Sequence, residues 1–305
     1  MIWNFPEGFH LGPLNIRFYS LMFVVAFSLG WYIMKAIYER ENISLEKLDT
    51  IFVNSVFAIL IGARLGQVFF YDWEYFRNNP LEILLPIKME PEFHFTGFAG
   101  LASHGAAIAM VLTLYFYSKY SVKKPLLWTL DRVVIPVASG AIFVRIGNFF
   151  NSEIVGNVTT SNFGVRFVRD YFLPQDAINQ TKNNDVDGAY KAITNNSEFA
   201  NLLAQVPAKH PAQLYEAFLY IFVFATLFFM YWKTEARNKA GLLFGSFLFL
   251  LWTVRFFVEF VKESQGGFGD GTFLSTGQWL SIPFIVVGLY FILRPKNNSN
   301  CKLAN

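Results

Sequence analysis

The sequence predicts an all-α, polytopic membrane helix bundle with seven transmembrane helices and a small extracytoplasmic head, and three observations predict it. The chain of 305 residues is 54% hydrophobic and 19% aromatic but only 15% charged, where soluble domains average about 25% charged residues. Its apolar residues gather in runs of about 20, the length a helix needs at about 1.5 Å per residue to cross the hydrocarbon layer. One connection, residues 151–211, is long and polar enough to fold outside the membrane.

The N-terminal segment MIWNFPEGFHLGPLNIRFYS has no Lys/Arg-rich leader and no small-residue cleavage site, so it does not read as a removable signal peptide. The spans follow at roughly 18–37, 50–71, 98–118, 131–150, 212–232, 241–261 and 278–294. Tyr19 stands at the mouth of the first and Arg64 in the second. The third opens with GFAGLASHGAA, which holds His104 among small residues that let another helix approach closely; helix packing is the favoured reading of those glycines and alanines. The fourth ends within VRIGNFFNSEIVG, with Arg145 and Asn148 inside the span and Asn151, Glu153 and Gly156 just beyond it. An intramembrane arginine costs roughly 2.5–3.5 kcal/mol on insertion scales, so it points to a function with a partner to be named. In the 151–211 connection the polar stretch TKNNDVDGAYKAITNNSEFANLLAQ predicts a short helix around 186–204 and carries no catalytic signature. His210 and Glu216 open the fifth span in HPAQLYE, Arg255 and Glu259 lie in the sixth in TVRFFVEFVKE, and Gln278 starts the seventh.

Charge sets the orientation. Twelve Lys and Arg fall in the short loops and tail on one side; nine fall on the other, five of them in the long 151–211 connection, which counts little in the positive-inside rule. The C-terminus is therefore expected to be cytoplasmic and the N-terminus outside. The net charge of +3, with no basic block and no zinc spacing, gives no support to nucleic-acid binding. The single cysteine, Cys301 in the polar tail, excludes an intramolecular disulfide and a cysteine-based metal cluster. No metal or organic cofactor is indicated.

With that orientation, Arg64, His104, Arg145, Asn148, Asn151, Glu153, His210, Glu216, Arg255, Glu259 and Gln278 all gather in the outer half of the membrane. The spacing of four between Arg255 and Glu259 puts them on one helical face, where they can neutralise each other. Arg145 and Asn148, three apart, can point into one cavity. A transporter for anionic solutes is the alternative, but it needs polar groups nearer the midplane, and the cytoplasmic halves of the spans hold few. An intramembrane hydrolase lacks a Ser/His or paired-Asp arrangement of suitable spacing.

These motifs together resemble the bacterial prolipoprotein diacylglyceryl transferases. VRIGNFFNSEIVG is similar to that family's GRxGNFxNxExxG, GLASHGA to GGxxxHGG, HPAQLYE to HPSQLYE, RFFVEFVKE to RxxxEFxR and TGQWLSIP to GQxLSIP. RFYSLMF and GARLGQVFFYD match its two early elements, and the seven motifs are collinear from about residue 12 to residue 284. Val144, Ala99 and Ala106 stand where glycines are common, and Lys262 where arginine is usual. The last departure matters most, because lysine cannot clamp a phosphate bidentately.

The resemblance implies transfer of the diacylglyceryl group of phosphatidylglycerol to the lipobox cysteine of preprolipoproteins at the outer leaflet of the bacterial inner membrane, with glycerol phosphate released. A phosphodiester in a poorly hydrated site calls for fixed guanidinium groups, so Arg145 and Arg255 are the foremost candidates and Arg64 a third, or else a structural partner of an outer-loop carboxylate. His104 is either the base that takes the thiol proton or a donor to the phosphate; the base reading is slightly preferred. Asn148 and Glu153 are expected to orient the arginine and the glycerol hydroxyls, while Asn151 divides evenly between that role and capping. Gly156 is expected to supply a backbone with φ above zero. Tyr19 is a head-group ligand or an interfacial anchor. Glu259 is expected as counter-ion of Arg255, and His210 and Gln278 as structural residues.

Overall fold

The computed structural model describes residues 1–12, 14–83, 85, 87–88, 94–95, 102–264 and 273–294. Cys301 and the start of the expected third span lie outside the described residues. Seven long helices follow one another: α1 (Phe18–Arg40), α2 (Leu45–Phe70), α3 (Ser103–Phe116), α4 (Leu126–Phe150), α5 (Ala212–Lys233), α6 (Leu242–Val258) and α7 (Thr276–Leu293). Six of them, α6 counted with its terminal 3-10 turn, are long and apolar enough to cross a membrane, with mean hydropathy of 1.6–1.8. The exception is α3. It has 14 residues of α-helix and then changes to a six-residue π-helix, Tyr117–Val122, so among the described residues six spans meet the criterion where seven are expected.

The chain forms two compact units, residues 33–132 and residues 1–32 with 133–305. In the first, α2 and α3 run antiparallel and touch through glycine: a Cβ on Gly105 would stand 2.6 Å from the Gly66 Cα, and one on Gly62 would meet the Gly105 carbonyl at 2.7 Å. The small residues of GLASHGA therefore serve helix packing, as expected. At the other end of the pair, polar groups satisfy one another away from water. The Tyr117 hydroxyl donates to the Lys47 carbonyl at 3.0 Å and so accepts from Tyr38 at 2.8 Å. The Arg132 guanidinium pairs with Glu41 at 2.8 Å and lies over the Trp128 ring.

In the second unit, α6 and α7 pack through Gly245 and Gly288, where added Cβ atoms would stand 2.9 Å from each other's carbonyls, and through the stacked rings of Trp252 and Phe284. Residues 151–211 fold around their own core of Val168, Phe172, Ala177, Ala189, Tyr190, Ile193 and Val206. The helix expected around 186–204 is divided into Val186–Asn195 and Ala200–Gln205, because the Asn196 side chain accepts from the Glu198 amide and starts a new turn. A further helix, Pro174–Thr181, precedes them. Strand Val165–Phe167 pairs in parallel with Ile2–Trp3 and antiparallel with Ala208–Lys209. Lys209 bridges Asp170 and Glu263 at 2.9 and 2.7 Å, joining this subfold to the end of α6.

Candidate functional site

The site grows from the C-terminal turn of α4. Arg145 and Asn148, one turn apart, point the same way, and the Arg145 Nη1 donates to the Asn148 Oδ1 at 3.1 Å. The Asn148 amide donates in turn to the Glu153 Oε1 at 2.7 Å, and Asn151 reaches the same oxygen at 3.5 Å. The loop that returns Glu153 to the helix end holds two residues in the left-handed region, Ser152 with φ 55° and Ile154 with φ 60°. For a β-branched isoleucine this conformation is strained, and such strain is commonly kept at functional sites.

From α5, Glu216 pairs with the Arg145 Nε. The carboxylate is buried, with side-chain exposure of 2% against 13% for the arginine. Gln213, one turn earlier on the same face, donates to the Glu153 backbone carbonyl at 2.6 Å, and the Tyr220 hydroxyl, one turn later, lies within the field of Arg145. Tyr19 reaches in from α1: its hydroxyl lies near the Asn148 side chain, within the field of Arg145 and Glu153. Gly147 makes room for that ring, since a Cβ there would stand 2.8 Å from the Tyr19 Cδ2.

Arg255 lies over the Trp252 ring at 5.6 Å, and its buried Nε has no hydrogen-bond partner among the described residues. The expected Arg255–Glu259 pair is not formed. Glu259 pairs instead with Lys262 at 3.3 Å, because α6 tightens into a 3-10 turn at Glu259–Val261 and brings Lys262 round to the carboxylate. The same carboxylate packs on Gly277 in the first turn of α7. Gln278 closes a capping box with Ser275 and reaches the Phe256 carbonyl. Burial holds the Lys262 ammonium below the usual lysine value; Arg255 and Arg145 act in the same direction, with Glu259 and Glu216 opposing. Arg145, Arg255, Lys262, Glu216 and Glu259 thus share one electrostatic environment.

Gly156 is needed for a different reason from the one expected. Its φ is not positive; the left-handed residues are Ser152 and Ile154. It sits where two backbones converge, donating to the His210 carbonyl at 2.8 Å while Asn157 donates to that of Val261. A Cβ would stand 2.5 Å from the Val261 oxygen and 2.6 Å from the His210 Cβ. The His210 amide in turn donates to the Asn157 carbonyl at 3.0 Å, and its ring Nδ1 meets the Tyr215 hydroxyl at 3.2 Å.

Two candidates belong to the other compact unit. Arg64 is buried and holds a turn: its Nε donates to the Ile83 carbonyl at 2.9 Å and its Nη2 to that of Glu82 at 2.6 Å, with the Phe76 ring beneath. His104 is exposed in the first turn of α3, beside the glycine that packs on α2. Sequence reasoning assigned no role to Gln213, Glu216, Tyr220 or the Lys262 pair. Their signal was available in part, since residues 213, 216 and 220 recur at helical spacing in HPAQLYEAFLY. Among the described residues no group of His, Cys, Asp and Glu could hold a metal ion.

The arrangement is a partly buried, oriented guanidinium in one electrostatic environment with a second one whose Nε is unsatisfied, which suits an anionic group. Comparison with known proteins agrees with the motifs. The family model described as prolipoprotein diacylglyceryl transferase matches residues 6–294. A relative named phosphatidylglycerol--prolipoprotein diacylglyceryl transferase from Chloroherpeton thalassium is 34% identical over 295 residues, covering 96% of this chain and 94% of that protein. Proteins of the same name from Bacteroides fragilis, at 34% over 95% of this chain and 93% of theirs, and from Tolumonas auensis, at 32% over 96% of both, are similar. The chain belongs to the prolipoprotein diacylglyceryl transferase family.

Proposed function

We propose that this membrane transferase moves the diacylglyceryl group of phosphatidylglycerol to the lipobox cysteine of a preprolipoprotein. The observation that carries the reading is the pair of guanidinium groups: Arg145 fixed by Glu216 and Asn148, and Arg255 with its buried Nε unsatisfied. Buried polar groups are rarely left unpaired, and a phosphodiester supplies the acceptors. Such donors placed in advance stabilise the charge that collects on the leaving phosphate.

In the transfer the thiol sulfur attacks the glyceryl carbon that carries the phosphate. The sulfur–carbon bond forms as the carbon–oxygen bond breaks, and the electron pair stays on the phosphate oxygen of the departing glycerol phosphate. The thiol, of unperturbed pKa about 8.5, must lose its proton. His104 is the proposed acceptor. Asn148, Glu153 and Tyr19 orient Arg145 and the glycerol hydroxyls, Gly156 holds the backbones around them, and Arg64 serves as a strut for the 80–83 turn. Asn151, His210, Glu259 and Gln278 support the frame. Lys262 adds a third cation, held ready by Glu259.

The Lys and Arg distribution supports a seven-span membrane domain in the bacterial inner membrane, with the N-terminus and the 151–211 head outside and the C-terminus cytoplasmic. The test is turnover in Arg145→Ala and Arg255→Ala. Removing a donor to developing charge costs about 10²–10³-fold in rate, so both variants should insert into membranes yet lose at least that much. Near-normal rates in both would end the phosphate-clamp reading.

A further inference from the structure

The first compact unit carries a feature that the transfer reaction does not use: a groove of about 620 Å³ between α2 and the helix formed by α3 and its π extension. On α2 it is lined at residues 50, 54, 57, 58, 61, 62 and 65, one helical face. It runs about 22 Å along that helix, which exceeds half of a hydrocarbon layer of about 30 Å. Its two ends differ. Toward Gly62 the walls are Ile61, Leu65, Ala109 and Leu112, and toward Thr50 they are Asn54, Tyr117, Tyr120 and Ser121.

Three further observations point to what fills it. Asn54 is exposed within a candidate span and its side-chain amide makes no hydrogen bond among the described residues, although an amide facing lipid is costly unless something bonds it. The polar wall on the α3 side is π-helix, a rare geometry often found at functional sites, and its Tyr117, Tyr120 and Ser121 line the groove. Exposed Lys119 lies over the Tyr120 ring at 5.3 Å, with exposed Lys123 and Lys124 following. On the opposite, α2 side the acidic residues Glu46 and Asp49 flank Lys47, so the net positive charge lies beside the π-helix.

We infer that this groove binds a membrane phospholipid with an anionic head group, held as a resident lipid apart from the lipid substrate. The acyl chain lies along Phe57, Ile61, Leu65 and Leu112, an ester carbonyl accepts from Asn54, and the phosphate sits beside Lys119. The lipid comes from the leaflet that borders residues 41–47 and 119–125, which in the proposed topology is the cytoplasmic one.

The test is native mass spectrometry of the full chain taken from bilayer discs of equal phosphatidylserine and phosphatidylcholine, so that the retained lipid is not the diacylglyceryl donor. Wild type should keep one phosphatidylserine through mild activation. Ala58→Trp, which fills the groove, should lower its occupancy at least ten-fold, and Lys119→Glu should remove the preference over phosphatidylcholine. Leu112→Trp provides a second filling variant should Ala58→Trp fail to fold by circular dichroism. Equal retention of both lipids by wild type, undiminished phosphatidylserine in a folded filling variant, or a second protein chain in place of lipid would each overturn the inference.

Discussion

Adding one methyl group at Gly156 should disable the site without touching a charged residue. An alanine Cβ there would stand 2.5 Å from the Val261 carbonyl, 2.6 Å from the His210 Cβ and 2.7 Å from the His210 carbonyl. Reaching even the 3.0 Å floor seen for real Cβ contacts means moving the Val261 oxygen by about 0.5 Å. The neighbours are backbone or Cβ on both sides, so no flexible side-chain tip can turn away. The displaced segments carry Lys262, one residue past Val261, and Glu153, three residues before Gly156, and they include two backbone hydrogen bonds of 2.8 Å. Overpacking of this kind costs about 1–3 kcal/mol of stability, and a misplacement of about 1 Å at a catalytic constellation costs on the order of 10²-fold in rate. Gly156→Ala should therefore lower kcat/KM for thioether formation by roughly ten- to a hundred-fold, with a modest fall in Tm. Wild-type kinetics together with wild-type Tm would refute the packing argument.

Breaking the buried Arg145–Glu216 pair leaves an uncompensated charge, so Glu216→Ala should destabilise the protein by about 3–5 kcal/mol and Glu216→Gln by less, as read by thermal unfolding in detergent. Lys262 gives a pH signature. Because its folded value lies below that of the unfolded chain, about 10.4, its stability contribution is largest above that value and is lost as pH falls through the folded one. Its charge on the substrate side is lost in the opposite direction, so KM for phosphatidylglycerol should climb as pH rises from about 7 toward about 10. Lys262→Arg, which keeps its charge, should flatten that rise; identical profiles would remove Lys262 from the clamp. His104→Gln should lower kcat by about 10²–10⁴-fold while leaving KM near normal, and a full rate would assign the proton to another group.

The part of the site that was legible in the sequence is the part written contiguously. Arg145, Asn148, Asn151 and Glu153 fall within nine residues at a helix end, so spacing alone brought their side chains together, and the hydrogen bonds join them in chain order. Partners from other helices were less accessible. Glu216 was placed in the right region by span order, but its pairing with Arg145 depends on how α5 packs against α4. The i,i+4 rule predicted Arg255–Glu259, but the 3-10 turn that follows at Glu259–Val261 brings Lys262 to the Glu259 carboxylate instead. The same limit applies to the third span, where hydropathy carries no mark of the change from α to π at Tyr117. Gly156 was expected to carry a positive φ and does not; a glycine code cannot tell positive φ from close approach, and only the convergence of residues 156, 210 and 261 does.

The most direct measurement is mass spectrometry of a synthetic lipobox peptide incubated with the purified protein and phosphatidylglycerol. The expected product is a peptide heavier by one diacylglyceryl group on its cysteine thiol, with glycerol phosphate released in equal amount and neither product formed by Arg145→Ala. An unmodified peptide in a well-lipidated assay, or glycerol phosphate released without any peptide present, would contradict it.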